Sequence, residues 1–143
     1  MPITERLDRG TDALAWKGSI PLHYEYTAGV AGERFMRGLM GGKILAGYCE
    51  ACGTASLPAR MYCVECYSGT SSFVKVGPVG VVRALARGDT ERFAFVEFPG
   101  TKGGVLHRLI GPGRVGSRVK ARFRPRRART GAISDILGFE RAT

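Results

Sequence analysis

The sequence predicts a mainly β protein in three parts: an N-terminal extended and helical segment (residues 1–42), a small metal-centred ribbon (43–70) and a five-stranded barrel of the OB type (71–143). Three observations predict it. Four cysteines, all that the 143-residue chain contains, stand in a C-x2-C-x10-C-x2-C frame. The 21 glycines favour turns and tight β geometry over long helices. From Phe73 onward, short apolar or alternating runs recur between turn residues.

In the first part, Leu22, Tyr24 and Tyr26 alternate with His23 and Glu25, the pattern of an extended segment with one largely aromatic face. Between Val30 and Met40, Ala31, Phe35, Met36, Leu39 and Met40 recur near helical spacing while Arg34 and Arg37 face away. Gly41-Gly42 stops the helix. These apolar faces either dock on a partner or pack on the protein's own core.

In the second part, Cys49, Cys52, Cys63 and Cys66 form paired C-x-x-C turns suited to one tetrahedral, structural zinc ion. Four thiolates do not by themselves separate zinc from rubredoxin-like iron. Ile44–Tyr48 leads as a strand into the first knuckle, where Gly53 suits a left-handed turn. Leu57–Arg60 leads into the second, Cys63–Tyr67. Met1–Gly29 carries acidic residues and no apolar secretion core, so a reducing, cytoplasmic setting is expected and metal is favoured over disulfides. A redox dithiol needs only one C-x-x-C, so the second pair argues against it. No run reaches the roughly 18 apolar residues of a membrane-spanning helix, so no membrane partner is expected.

In the third part, Phe73–Val76 and Gly80–Ala86 read as one long strand bent at Gly77-Pro78. Phe93–Phe98, Gly104–Ile110, Arg118–Phe123 and Ile136–Phe139 follow, with Val119, Ala121 and Phe123 on one face and Arg118, Lys120 and Arg122 on the other. A long bent strand and four shorter ones suit an OB barrel, with an SH3-like barrel as the alternative.

The formal charge of +10 is concentrated between Phe98 and Ser134, which hold ten basic residues and no acidic one. Such a segment favours an anionic partner, whether nucleic acid, a phosphorylated small molecule or an acidic protein surface; a solvated face kept for solubility is the plainer reading. Catalysis is not indicated. No cysteine lies outside the frame, a closed four-thiolate shell cannot activate water, His107 has no acid near it in sequence, and His23 stands beside Glu25 on a polar, solvent-facing side.

Further motifs are Tyr24-x-Tyr26-Thr27-x-Gly29, Gly32-Glu-Arg-Phe35, Gly42-Lys-Ile-Leu45, Pro58-Ala-Arg60 between the knuckles, and, in the barrel, Gly104-Val-Leu-His-Arg-Leu-Ile-Gly111, Val115-Gly-x-x-Val119 and Gly138-Phe139. With the cysteine frame they resemble a family with an N-terminal helical segment, a rubredoxin-like zinc ribbon and a C-terminal OB fold, whose members are partner subunits of thiolases and related acyl-CoA enzymes. Tyr67 departs from it, standing where a second knuckle commonly has glycine. The resemblance implies a non-catalytic subunit that docks on a thiolase-like catalytic subunit, as a two-plus-two hetero-oligomer, and helps hold the coenzyme A part of an acyl-CoA. Trp16, Tyr24, Tyr26 and Phe35 are then the expected docking residues. Arg60, Arg108, Arg122, Arg124 and Arg126 are the expected coenzyme A contacts, since guanidinium groups bind phosphates by paired, charge-assisted hydrogen bonds. The rival reading is a nucleic-acid-binding ribbon and barrel. Against it, the only aromatics from Phe98 to Ser134 are Phe98 and Phe123, although Phe93 and Phe95 could form a stacking platform.

Overall fold

The computed structural model describes residues 18–142; Trp16, one of the expected docking residues, lies outside them. Residues 18–28 run without regular secondary structure into helix α1 (Gly29–Met40). Ala31 and Leu39 are buried and Phe35 packs against the core, but Met36 and Met40 are exposed. Each methionine follows its buried neighbour by one residue, about 100° around the helix, and so falls off the stripe. The helix ends in a Schellman motif. The Gly42 amide donates to the Leu39 carbonyl and the Lys43 amide to that of Gly38, both at 2.8 Å, and Gly42 takes the left-handed conformation (φ +71°) the motif requires.

Strands β1 (Leu45–Tyr48), β2 (Ala55–Leu57) and β3 (Ser72–Lys75) form an antiparallel ribbon with β1 in the middle. Strands β4 (Val79–Arg87), β5 (Arg92–Glu97), β6 (Thr101–Ile110), β7 (Arg118–Phe123) and β8 (Ile136–Arg141) close a five-stranded barrel in the order β4-β5-β6-β8-β7. Its one parallel pairing is β6 with β8, the OB arrangement. Val119 is buried, Ala121 and Phe123 pack against the core, and Arg118, Lys120 and Arg122 are exposed, as the alternation predicts.

The single bent strand does not form. Ala46 pairs with Val74 in the ribbon, whereas Gly80 pairs with Val119 in the barrel. Pro78 has no amide to donate to a ladder, and at Gly77-Pro78 the chain passes from one sheet to the other. Residues 72–75 therefore lie in the ribbon sheet, beyond residue 70 where the sequence reading ends the ribbon.

Ribbon and barrel share one core. Strand β2 runs parallel to β6, with Leu57 beside Gly103, and Ile44, Ala46 and Leu57 join Val82, Val96, Phe98 and Phe139 in a continuous apolar cluster. The pairings also fix two ends of the barrel. At the near end lie the β3–β4 passage, the Phe98–Gly100 turn and the Arg124–Asp135 connection, against which α1 packs. At the far end lie residues 88–91, residues 111–117 and the end of β8.

The near-end connection is rich in arginine yet built around one acid. Asp135 is 1% exposed and accepts from the Thr130 amide (3.0 Å) and the Gly131 amide (2.7 Å). Arg129 lies over the Phe123 ring, donates through Nε to the Arg124 carbonyl (2.7 Å) and sits against Gly42 at the helix C-terminus. A cation there meets the negative end of the helix dipole. Asp135→Ala strands two amides and is expected to lower stability by about 3 kcal/mol, with Asp135→Asn losing less, read by chemical denaturation. An unchanged midpoint for the alanine variant would show that the connection holds without its carboxylate.

Candidate metal centre and arginine surfaces

The two knuckles are built alike. In the first, the Cys49 amide donates to the Thr54 carbonyl (2.9 Å) and the Gly53 amide to that of Cys49 (2.8 Å). In the second, the Cys63 amide donates to the Ser68 carbonyl (2.9 Å) and the Tyr67 amide to that of Cys63 (3.2 Å). Each knuckle buries its first cysteine and exposes its second. The four Sγ atoms lie within 4.8 Å of one another, with Cys49–Cys66 at 3.5 Å and Cys52–Cys63 at 3.4 Å. Zinc–thiolate bonds of about 2.3 Å in a tetrahedron place sulfurs about 3.8 Å apart, so the residues fit the ion.

The surroundings of the thiols differ. The Ser68 hydroxyl, then its amide, then the Cys49 thiol hold Cys66 down at about 6. The Thr54 hydroxyl and amide likewise lower Cys52, whose Sγ lies 3.3 Å from Thr54 Oγ1. The Cys52 amide draws Cys49 down as well, but burial and the thiols of Cys66 and Cys52 outweigh it and push Cys49 up to about 11. The signal for these helpers is in the sequence: a threonine or serine follows two residues after the second cysteine of each knuckle. With four thiolates the shell is complete, and the ion would hold the ribbon together without offering an open position to a substrate.

The turn that Gly53 makes at φ +72° is made in the second knuckle by Tyr67 at φ +60°. Among the described residues Tyr67 is the one non-glycine with positive φ, a conformation costing roughly 1–2 kcal/mol for a residue with a Cβ. Its ring is 80% exposed, and no packing on the protein's own core accounts for it. Tyr67→Gly is expected to raise the stability of the metal-bound protein by about 1 kcal/mol, seen as a melt a few degrees higher. A melt at or below that of the parent would mean that the turn is not strained.

The five expected coenzyme A arginines do not form one cluster. Arg60 is in the ribbon, and Arg122, Arg124 and Arg126 belong to β7 and the near-end connection. Arg108 is on β6 toward the far end, bound to Glu91. Arg122 faces Glu140 (3.9 Å), and Arg124 donates to the Ser134 carbonyl (2.9 Å). Arg60 and Arg126 have no carboxylate partner among the described residues. Phe93 and Phe95 are half-buried beside Arg108 and Leu106 on the outer face of β5 and β6. His23 is exposed. Burial holds His107 below its usual 6.5, and the Arg108 charge adds to the lowering.

Of the docking candidates, Tyr24 (69% exposed) and Tyr26 (85%) stand in the open with ring centroids 5.0 Å apart, and Leu22 is exposed with them. Phe35 does not join them. It spends its surface on the protein's own core, on the stripe of Ala31 and Leu39.

A family model, the rubredoxin-like zinc ribbon domain of ChsH2, matches residues 37–71, which span β1, β2 and all four cysteines. Residues 37–71 are similar to the ChsH2 zinc ribbon. With the barrel behind it, the chain has the zinc-ribbon and OB-fold architecture of the family its sequence resembles. A solved structure of a DUF35-family protein of unknown function from Sulfolobus solfataricus is 28% identical, with a TM-score of 0.58 over 65% of this chain and 76% of its own. The Ltp2–ChsH2(DUF35) aldolase shares the fold at 17% identity, with a TM-score of 0.60 over 78% of this chain and 94% of its own. No curated protein sequence matches the chain.

Sequence reasoning missed one grouping. Arg114 and Arg118 lie in the basic segment but Arg141 does not, and only the β7–β8 pairing brings Arg141 beside them to line a common cavity. A pattern read along the chain carries no sign of it.

Proposed function

We propose that the protein is a non-catalytic, zinc-binding subunit of a thiolase-like acyl-CoA enzyme, docking on the catalytic subunit and helping to hold the coenzyme A part of its substrate. The observation that carries this reading is the pairing of a ChsH2-type ribbon with an aromatic segment left uncovered, Leu22, Tyr24 and Tyr26 immediately ahead of α1. Three large, mostly aromatic side chains at alternate positions on a stretch without regular secondary structure suit a partner surface better than water. Tyr62 and Tyr67 on the second knuckle are also exposed and extend the candidate surface. One solved structure of like fold is an aldolase containing ChsH2, which supports a catalytic partner for this chain as well. The closed thiolate shell supports a scaffolding ion, with chemistry supplied by the partner's nucleophile.

Arg60, Arg124 and Arg126, in the ribbon and at the near end, are the first coenzyme A contacts to test, with Arg122 and Arg108 after them because carboxylates already engage both. Capture of a tagged chain from its own cell extract, with nuclease added and zinc measured on the same sample, tests the class. A near-stoichiometric thiolase-like protein that survives nuclease supports the reading, and native mass spectrometry of that sample reads the two-plus-two stoichiometry. RNA or ribosomal protein lost with nuclease would favour the nucleic-acid reading, for which Phe93 and Phe95 beside Arg108 are the one structural argument.

A further inference from the structure

We propose that the far end of the barrel is a separate anion site, built for a small ligand carrying a pyrophosphate or two adjacent phosphates. Arg114, Arg118 and Arg141 line one cavity of about 730 Å³ together with Ser117, the size range of small-molecule sites. No carboxylate lines it among the described residues. Three exposed arginines elsewhere on the barrel are answered, Arg83 by Glu97, Arg108 by Glu91 and Arg122 by Glu140, whereas Arg114, Arg118 and Arg141 have no carboxylate partner among the described residues. Three guanidinium groups around one hollow repel each other until an anion enters, and two phosphates present enough oxygens to occupy all three forks.

The wall of the cavity is held in place before any ligand arrives. The Arg114 amide donates to Ser117 Oγ (3.0 Å) and the Ser117 amide to the Arg114 carbonyl (3.0 Å). The Gly116 amide donates to Val82 (2.8 Å), the Val82 amide donates back to Ser117 (3.0 Å), and Arg92 anchors the Gly113 carbonyl. Such preorganisation removes ordering entropy that binding would otherwise cost. The Ser117 hydroxyl keeps its own proton to donate. No aromatic side chain lines the hollow, so stacked bases of a single strand find no platform there. The site is at the opposite end of the barrel from α1 and from Arg126, and it does not depend on the partner reading above.

Calorimetric titration of the zinc-loaded full chain with inorganic pyrophosphate tests this. Saturable one-to-one binding is expected, weakened at least about tenfold in Arg114→Gln/Arg118→Gln and held within about twofold in Arg126→Gln/Arg127→Gln, which removes the same charge from the near end. No saturation in the parent, or equal weakening in both pairs, overturns the site in favour of diffuse charge. Displacement of pyrophosphate by a thymidine decamer that is equally sensitive to both pairs also overturns it. Titration with ADP and with coenzyme A then distinguishes a nucleotide's pyrophosphate from a free one. Partner capture by the Arg114/Arg118 variant reads the proposed function independently.

Discussion

Cys49→Ser is expected to release the metal and unfold the ribbon, and with the ribbon to abolish capture of a catalytic partner. The apparent binding energy of a structural zinc at neutral pH is about 10–16 kcal/mol, and much of it is folding energy for a module this small. Strands of four, three and four residues bury too little to stand without it. Cys49 is the ligand to remove because it is buried and its amide also closes the first knuckle onto Thr54. Its thiol pKa, pushed up to about 11, means that the ion displaces a proton there at pH 7. Metal affinity should therefore rise with pH, and chelators should strip the protein more easily as pH falls. The checks are zinc per chain and hydrogen exchange of ribbon amides such as Gly47 and Ser56 against barrel amides such as Val96. A variant that lost its zinc and still captured its partner would remove the scaffolding role from the metal.

The metal centre was legible in the sequence because its geometry is local. A C-x-x-C turn places two sulfurs through short-range backbone hydrogen bonds, so spacing alone identifies the ligands. The alternation along Arg118–Phe123 was legible for the same reason, since a strand's two faces follow from period two. What spacing does not carry is pairing between distant strands. Phe73–Val76 has the composition of a barrel strand, and only its register against Leu45–Tyr48 assigns it to the ribbon. The basic segment shows the same limit. Read along the chain it is one field of ten charges; in the fold it divides. Arg129 becomes a structural clamp on α1, Arg108 and Arg122 meet carboxylates, and Arg114 and Arg118 turn toward Arg141 at the other end. Asp135, one residue past the segment, is what folds its near-end half.

The joint between ribbon and barrel rests on a glycine. Gly103 holds φ +86° on β6, and a Cβ there would meet the backbone carbonyl of Leu57, its pairing partner on β2. The obstacle is main chain inside a ladder, so no side-chain rotation relieves it. Gly103→Ala must either force β2 off β6, giving up parallel ladder bonds each worth about 1 kcal/mol, or carry the clash in addition to backbone strain of about 1–2 kcal/mol. A loss of about 3 kcal/mol is expected, a large part of the 5–15 kcal/mol that stabilises a typical domain. Gly100→Ala supplies the matched control. It has a similar φ of +78°, but a Cβ there meets nothing within 4 Å, so only the strain of about 1 kcal/mol should appear. Denaturation midpoints of the two variants, measured with zinc bound, separate conformation from contact; equal losses would mean that the Leu57 contact contributes nothing. If the difference is found, exchange of the Ala55–Leu57 amides should quicken in Gly103→Ala while the knuckle amides stay protected. That pattern would show that zinc sets the ribbon's internal shape while the β2–β6 seam sets its angle to the barrel.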